Sequence, residues 1–212
     1  MKVLETIFLT LAKTDWIEWL AVLCSLLYVI LISYKKNSAW LFAILSSGLY
    51  VYLCYSTQLY LEVGLQIFYV LMAIYGWFSW YQDERKDEPI DPNSFAESNE
   101  GRIIRWNLKQ HVLNVIISGV LMLLLGYIFA NFTNQANPFV DAFTSVFSFT
   151  ATFMVTKKVL ENWIYWIIID AISVYLFYSR ELYVTAGLMC LYSLIAVFGL
   201  VKWYLIYKRQ DD

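Results

Sequence analysis

Charge is what this sequence has least of. Only 15% of its 212 residues are charged, against about 25% in ordinary soluble domains, while 60% are hydrophobic. That balance excludes a soluble globular domain and points to an all-α polytopic membrane protein. Histidine occurs once, at His111, with no metal-ligating partner at useful spacing, so a histidine-based metal site is excluded. The three cysteines, Cys24, Cys54 and Cys190, sit in apolar runs and form no Cys-x-x-Cys pair; they read as small apolar fillers rather than disulfides or ligands. There is no His-Glu-x-x-His, no Gly-x-Ser-x-Gly and no nucleophile with a matching base. The sequence therefore reads as no enzyme, with no cofactor required. A retinal protein is disfavoured as well, because Lys202 stands close to a helix end instead of mid-membrane.

What is present is a series of apolar runs about 20 residues long, the length a bilayer asks for. Seven spans are predicted, at 16–34, 40–56, 60–81, 112–132, 139–155, 163–178 and 183–207, with tryptophan and tyrosine clustered at their ends. Residues 1–15 read as an amphipathic lead-in without a signal cleavage site. The one extended polar stretch, 82–110, reads as a linker, followed by a connector helix over 111–133 and a short tail over 208–212. Within the linker, Gly101-Arg102-Ile103-Ile104-Arg105-Trp106 mixes basic and apolar residues and is expected to lie against anionic lipid headgroups. A patch this short is a weak nucleic-acid signal, and no nucleic-acid partner is expected.

Seven spans sort the basic residues cleanly. Lys2, Lys13 and Arg180 fall on one side and the remaining twelve of the 15 on the other. The positive-inside rule then places the carboxyl terminus in the cytoplasm and the amino terminus outside, as in a multi-pass protein of the inner membrane.

The linker separates two copies of one unit, 16–81 and 134–207. Laying 35–80 over 158–203, an offset of 123 positions (Trp40 onto Trp163), gives about 17 identities in roughly 46 positions. Trp40, Val51-Tyr52-Leu53, Tyr69, Gly76 and Trp80 meet Trp163, Val174-Tyr175-Leu176, Tyr192, Gly199 and Trp203. Carried back, the offset pairs Glu18 with Asp141 and Ser25 with Ser148. A single connector span lets both units insert the same way round, a parallel 3+1+3 repeat of the kind found in transporters.

The candidate site lies where polar groups interrupt these apolar spans. Trp163, Trp166 and Asp170 share a helical face, and an aspartate near the centre of a span costs roughly 2.5–3.5 kcal/mol on insertion scales. Such an acid is either hydrogen-bonding glue between helices or a cation or polar-ligand site walled by aromatics. Gln66, Tyr69, Ala73, Gly76 and Trp80 form a second stripe with Trp77 beside it, facing either protein or a cavity. For Tyr69 and Trp77, core packing is the competing reading. The copies differ where an asymmetric ligand would need them to: Ser47 stands opposite Asp170, and Met189 opposite Gln66. Glu161 is read as a cap of the sixth helix, and Glu18, Glu62 and Asp141 as wetted residues at span ends.

The block from Gln58-Leu59-Tyr60 through Gln66 to Tyr75-Gly76-Trp77-Phe78-Ser79-Trp80, with Thr156-Lys157-Lys158 and Glu161-Asn162-Trp163-x-x-Trp166, resembles the Pnu family of bacterial vitamin transporters. The resemblance spans residues 16 to about 203. It implies seven helices in a 3+1+3 arrangement like a full-length SWEET-type sugar transporter, assembled as a homotrimer with a path in each subunit. It also implies facilitated diffusion of a nucleoside-like vitamin, most often nicotinamide riboside, trapped by a cytoplasmic kinase. Carried over by motif, the ligand contacts are Gln66, Trp163, Trp166 and position 170. The chain departs from the nicotinamide riboside pattern in having Asp170 and Ser46 where that pattern has asparagine. An acid in the cavity suits a cation, a description that fits thiamine, carried by relatives, as well as nicotinamide riboside.

Overall fold

The computed structural model describes residue 11 and residues 15–56, 60–86, 101–133 and 137–210. The lead-in thus lies almost wholly outside the described residues, as do 87–100 of the linker. Among the described residues these seven helices stand out: α1 (Trp16–Ser33), α2 (Ala39–Ser56), α3 (Tyr60–Lys86), α4 (Leu108–Phe132), α5 (Pro138–Thr156), α6 (Asn162–Ser179) and α7 (Tyr183–Arg209). Each falls on one of the seven predicted spans. The differences are at polar ends, where hydropathy stops but helical hydrogen bonding continues. α3 runs on to Lys86 and α7 to Arg209. α4 starts at Leu108 because Asn107 and Gln110 close a capping box, with bonds of 2.9 and 2.8 Å that satisfy two of the end's free N–H groups. α5 opens on Pro138, whose fixed φ and missing N–H suit the first turn. Six of the seven helices are long and apolar enough to cross a membrane; α6, which carries Asn162 and Asp170, falls short on composition.

Packing runs α1–α2–α3 in the first group of helices and α5–α6–α7 in the second, with α4 against α5. The groups meet through α1 on α7 and α3 on α5, while α2 and α6 do not pack on the opposite group; α6 also reaches α4, where Tyr165 meets His111 and Asn114. Local contacts recur at the offset of 123. Lys35 and Lys158 both adopt left-handed φ, 57° and 54°, after α1 and α5. In each case the next N–H reaches back five residues, Lys36 to Leu31 at 3.0 Å and Val159 to Met154 at 2.9 Å, the C-terminal Schellman closure. Ser33 and Thr156 each donate to the carbonyl three residues earlier at 2.7 Å, and Ser56 and Ser179 do so at 2.8 Å.

The Gly101 to Trp106 segment is tied to the protein, with Arg102, Ile104 and Arg105 left exposed. Ile104 N–H donates to the Lys158 carbonyl at 3.1 Å, and Leu160 N–H to the Ile104 carbonyl at 2.9 Å. Ile103 is buried, and its N–H is held by the Gln210 side chain at 3.1 Å. Glu161 makes no side-chain cap on α6. It binds Arg105 at 2.8 Å, which raises the guanidinium's pKa above its ordinary value, and it accepts from Trp106 N–H at 3.2 Å. The buried Lys158 ammonium pairs with Asp83 at 2.8 Å. Asp141, expected to be wetted, is mostly buried and paired with Arg180 at 2.7 Å.

Glu181, exposed in the turn between α6 and α7, holds φ at 59°, where a Cβ is strained and glycine is not. Glu181→Gly is expected to stabilise the protein by about 1 kcal/mol, and Glu181→Val to destabilise it. Thermal melts of the two variants in one detergent check the order.

Candidate binding cavity

Because α2 and α6 do not reach across to the opposite group, a cavity of about 330 Å³ remains between the two groups. All six helices of these groups line it, and α4 does not.

α6 brings the aromatic and the charged residues. Its periodicity puts Trp163, Trp166 and Asp170 on the lining, with Ser173 one turn beyond. Asp170 is only 5% exposed, and among the described residues it has no hydrogen bond or ion pair. A buried carboxylate left without a partner is costly unless something from the cavity meets it. α3 contributes Gln66, Tyr69 and Ala73, and α2 contributes Ser46, Ser47 and Tyr50. The Ser46 hydroxyl donates to the Ala21 carbonyl of α1 at 3.0 Å, so its donor is already used. Trp77 is not brought to the cavity; it packs against the indole core below. Of the predicted site residues, then, Trp163, Trp166, Asp170, Gln66, Tyr69 and Ser46 meet around one space and Trp77 does not.

Several lining residues were not singled out from sequence. Tyr192 of α7 is hydrogen-bonded to Ser25 of α1, across the two groups. Its counterpart at the offset, Tyr69, stands against Ser148 in the same way. The offset was the signal that would have found Tyr192. Tyr28, Tyr50, Thr152 and Ser173 carry no such mark, since a tyrosine or hydroxyl inside a helix bundle is common packing.

The base of the cavity is aromatic. Trp40 and Trp163 form part of its lining, and each packs edge-on against a second indole: Trp40 on Trp80 at 5.4 Å, Trp163 on Trp203 at 5.5 Å. Among the described residues the lining has no Lys, Arg or His. It can stack a planar ring, hydrogen-bond hydroxyl or amide groups, and meet a positive charge at Asp170; it has nothing to neutralise a phosphate.

A family profile described as nicotinamide mononucleotide transporter matches residues 15–205 of the chain. The nicotinamide riboside transporter PnuC of Escherichia coli (strain K12) is 27% identical, the alignment covering 89% of this chain and 85% of that protein. The protein of the same name from Neisseria mucosa is 26% identical over 93% of this chain and 75% of its own length. The riboflavin/roseoflavin transporter RibM of Streptomyces davaonensis is 20% identical over 83% and 79%. In fold, the chain is similar to a crystal structure of the vitamin B3 transporter PnuC, with a TM-score of 0.71 and 23% identity, covering 98% of this chain and 88% of that one.

Trp166 is the cleaner probe of the cavity, because Trp163 also supports the core. Trp166→Ala is expected to weaken binding of a ring-bearing ligand by about 1–3 kcal/mol, the worth of stacking on a protein aromatic. Trp163→Ala should add a loss of about 3–5 kcal/mol in stability. Titration of purified protein alongside melting curves separates them; normal binding by well-folded Trp166→Ala would make that indole packing only.

Proposed function

This chain belongs to the nicotinamide mononucleotide transporter family, and we propose that it carries a cationic, nucleoside-like vitamin, nicotinamide riboside first, through the cavity between its two groups of helices. The observation that carries this reading is the unpartnered, buried Asp170 carboxylate in a cavity with Trp163 and Trp166 on the same helical face. The pyridinium of nicotinamide riboside supplies a flat ring for the indoles and a positive charge for the carboxylate, and its ribose and amide supply partners for Gln66, Tyr69 and Ser47. The nucleotide would add a phosphate to a lining with an acid and no base, so the nucleoside is favoured. The relatives whose names state nicotinamide riboside support the same choice. Thiamine is the second reading, favoured by Asp170 itself: a thiazolium needs the charge, whereas it does not need the family's asparagine.

The architecture proposed is a 3+1+3 parallel repeat, as in full-length SWEET-type transporters, with α4 as connector, the basic face in the cytoplasm of a bacterial inner membrane and the amino terminus outside. The recurrence of caps, turns and indole pairs at the offset of 123 supports it. Passage is by facilitated diffusion, each subunit of a homotrimer acting alone, with phosphorylation by a cytoplasmic kinase retaining the vitamin. Among the described residues Asp170 is the one acid on the cavity lining, with no second acid beside it to pair as a carrier for a coupling ion.

Counterflow in proteoliposomes should therefore proceed without a proton or sodium gradient. Uphill accumulation of unmodified vitamin driven by an imposed gradient would overturn the mode of transport. The choice of vitamin is tested at Asp170. Asp170→Asn keeps the shape and removes the charge, and should weaken a cation held by it by about 1–3 kcal/mol. Titrating nicotinamide riboside and thiamine against wild type and variant decides between them. Tight thiamine binding without nicotinamide riboside binding by the wild type would reverse the order proposed.

A further inference from the structure

The four buried tryptophans beneath the cavity do more than fill space. Trp40, Trp80, Trp203 and Trp163 form a continuous row, with centroids 5.4, 6.2 and 5.5 Å apart, and none is more than 2% exposed. The middle pair crosses between the two groups of helices. Trp80 Nε1 of α3 donates to the Thr156 carbonyl at the end of α5, at 3.1 Å. Trp203 Nε1 of α7 donates to the Ile32 carbonyl at the end of α1, at 3.2 Å. The outer pair sits on glycine: a Cβ at Gly76 would come within 2.5 Å of Trp40, and one at Gly199 within 2.7 Å of Trp163. Beyond the row lie the turns bearing Lys35, Lys36, Lys157 and Lys158, so the row stands at the basic face.

This closed packing is incompletely satisfied. Among the described residues, four buried side-chain atoms lack a hydrogen-bond partner: Trp40 Nε1, Trp163 Nε1, Asn37 Oδ1 and Asn162 Oδ1. All four lie at or beside the row, in pairs drawn one from each group. Unmet donors and acceptors raise the free energy of the state that buries them, and any motion that lets water or a ligand reach them is favoured by that much.

We propose that this indole row is the cytoplasmic gate of the cavity, latched by the Trp80 and Trp203 hydrogen bonds and biased toward opening by the unmet groups of Trp40 and Trp163. The inference rests on the transporter reading and on the basic face being cytoplasmic. Opening separates the ends of α1 from α7 and of α5 from α3, the contacts through which the two groups meet.

The test is one-sided access to the cavity. With Cys24, Cys54 and Cys190 replaced by alanine, Ala43→Cys puts a thiol on the lining, and a membrane-impermeant maleimide is added to inside-out or right-side-out vesicles. Trp203→Phe and Trp80→Phe each remove a latch, and each should speed labelling from the cytoplasmic face roughly fivefold, the weight of one neutral hydrogen bond, leaving the other face unchanged. Gly199→Ala keeps every indole and wedges Trp163, and should raise labelling on the same face, which separates gate opening from lost tryptophan volume. Unchanged labelling in these variants, or an equal rise from both faces, overturns the gate. Titration of the wild type with nicotinamide riboside and thiamine distinguishes the failures: one-sided labelling without vitamin binding removes the substrate reading alone, and vitamin binding without one-sided labelling removes the gate alone.

Discussion

A carboxylate that lipid cannot solvate is the constraint from which the rest of this structure follows. In a bilayer core no water is available to Asp170, Gln66 or the lining hydroxyls, so the helices that carry them must turn those faces toward one another. Six helices close around the space this leaves. Their outward faces then need only be apolar, and they are. α4, which packs on α5 and meets α6 at Tyr165, presents Leu113, Ile116 and Leu123 more than half exposed, a surface tolerable only against lipid or another apolar protein face. The same pressure explains why α6, which carries an amide and an acid, is one of the best covered helices: Asn162, Trp163, Ile169, Asp170 and Ser173 are all buried.

The helices were legible in the sequence because hydropathy reports length directly, and the repeat because 123 residues separate too many matched tryptophans, tyrosines and glycines for chance. The polar half of the cavity was legible for a related reason. A glutamine or an aspartate in an apolar run has few places to go. What could not be read was which aromatic belongs to cavity and which to core. Trp77 follows Gly76, and its ring turns toward the indole core, whereas Tyr69 faces the cavity; both satisfy the same helical period. For the basic, apolar segment at Gly101 to Trp106, amphipathicity does not show how it is tied to the end of the helix bundle. Only the bonds to Lys158, Leu160, Glu161 and Gln210 do.

Close approach sets the geometry of the base. Gly76 and Gly199 have no side chain, so the flat faces of α3 and α7 admit Trp40 and Trp163 to distances any Cβ would forbid. Each large residue is thus matched to an absence on the neighbouring helix, and the match is made twice. Sequence comparison of the two copies finds these four residues as identities. It cannot tell that they touch.

Symmetry and its breaking divide the labour within the cavity. The indoles, the glycines, the left-handed lysines and the serine or threonine caps are kept in both copies, and they lie where the two groups of helices meet or turn. Many of the lining pairs differ, among them Asp170 against Ser47, Gln66 against Met189, Trp166 against Ala43 and Tyr50 against Ser173. A vitamin has no two-fold axis, so a site that recognises its charged ring at one end and its sugar at the other has to depart from the repeat. A hinge that moves two equivalent groups against each other has every reason to keep it. On the reading proposed, the pairs kept in both copies are the moving parts of this chain, and the unmatched lining residues, the acid and the amide among them, are the part that recognises.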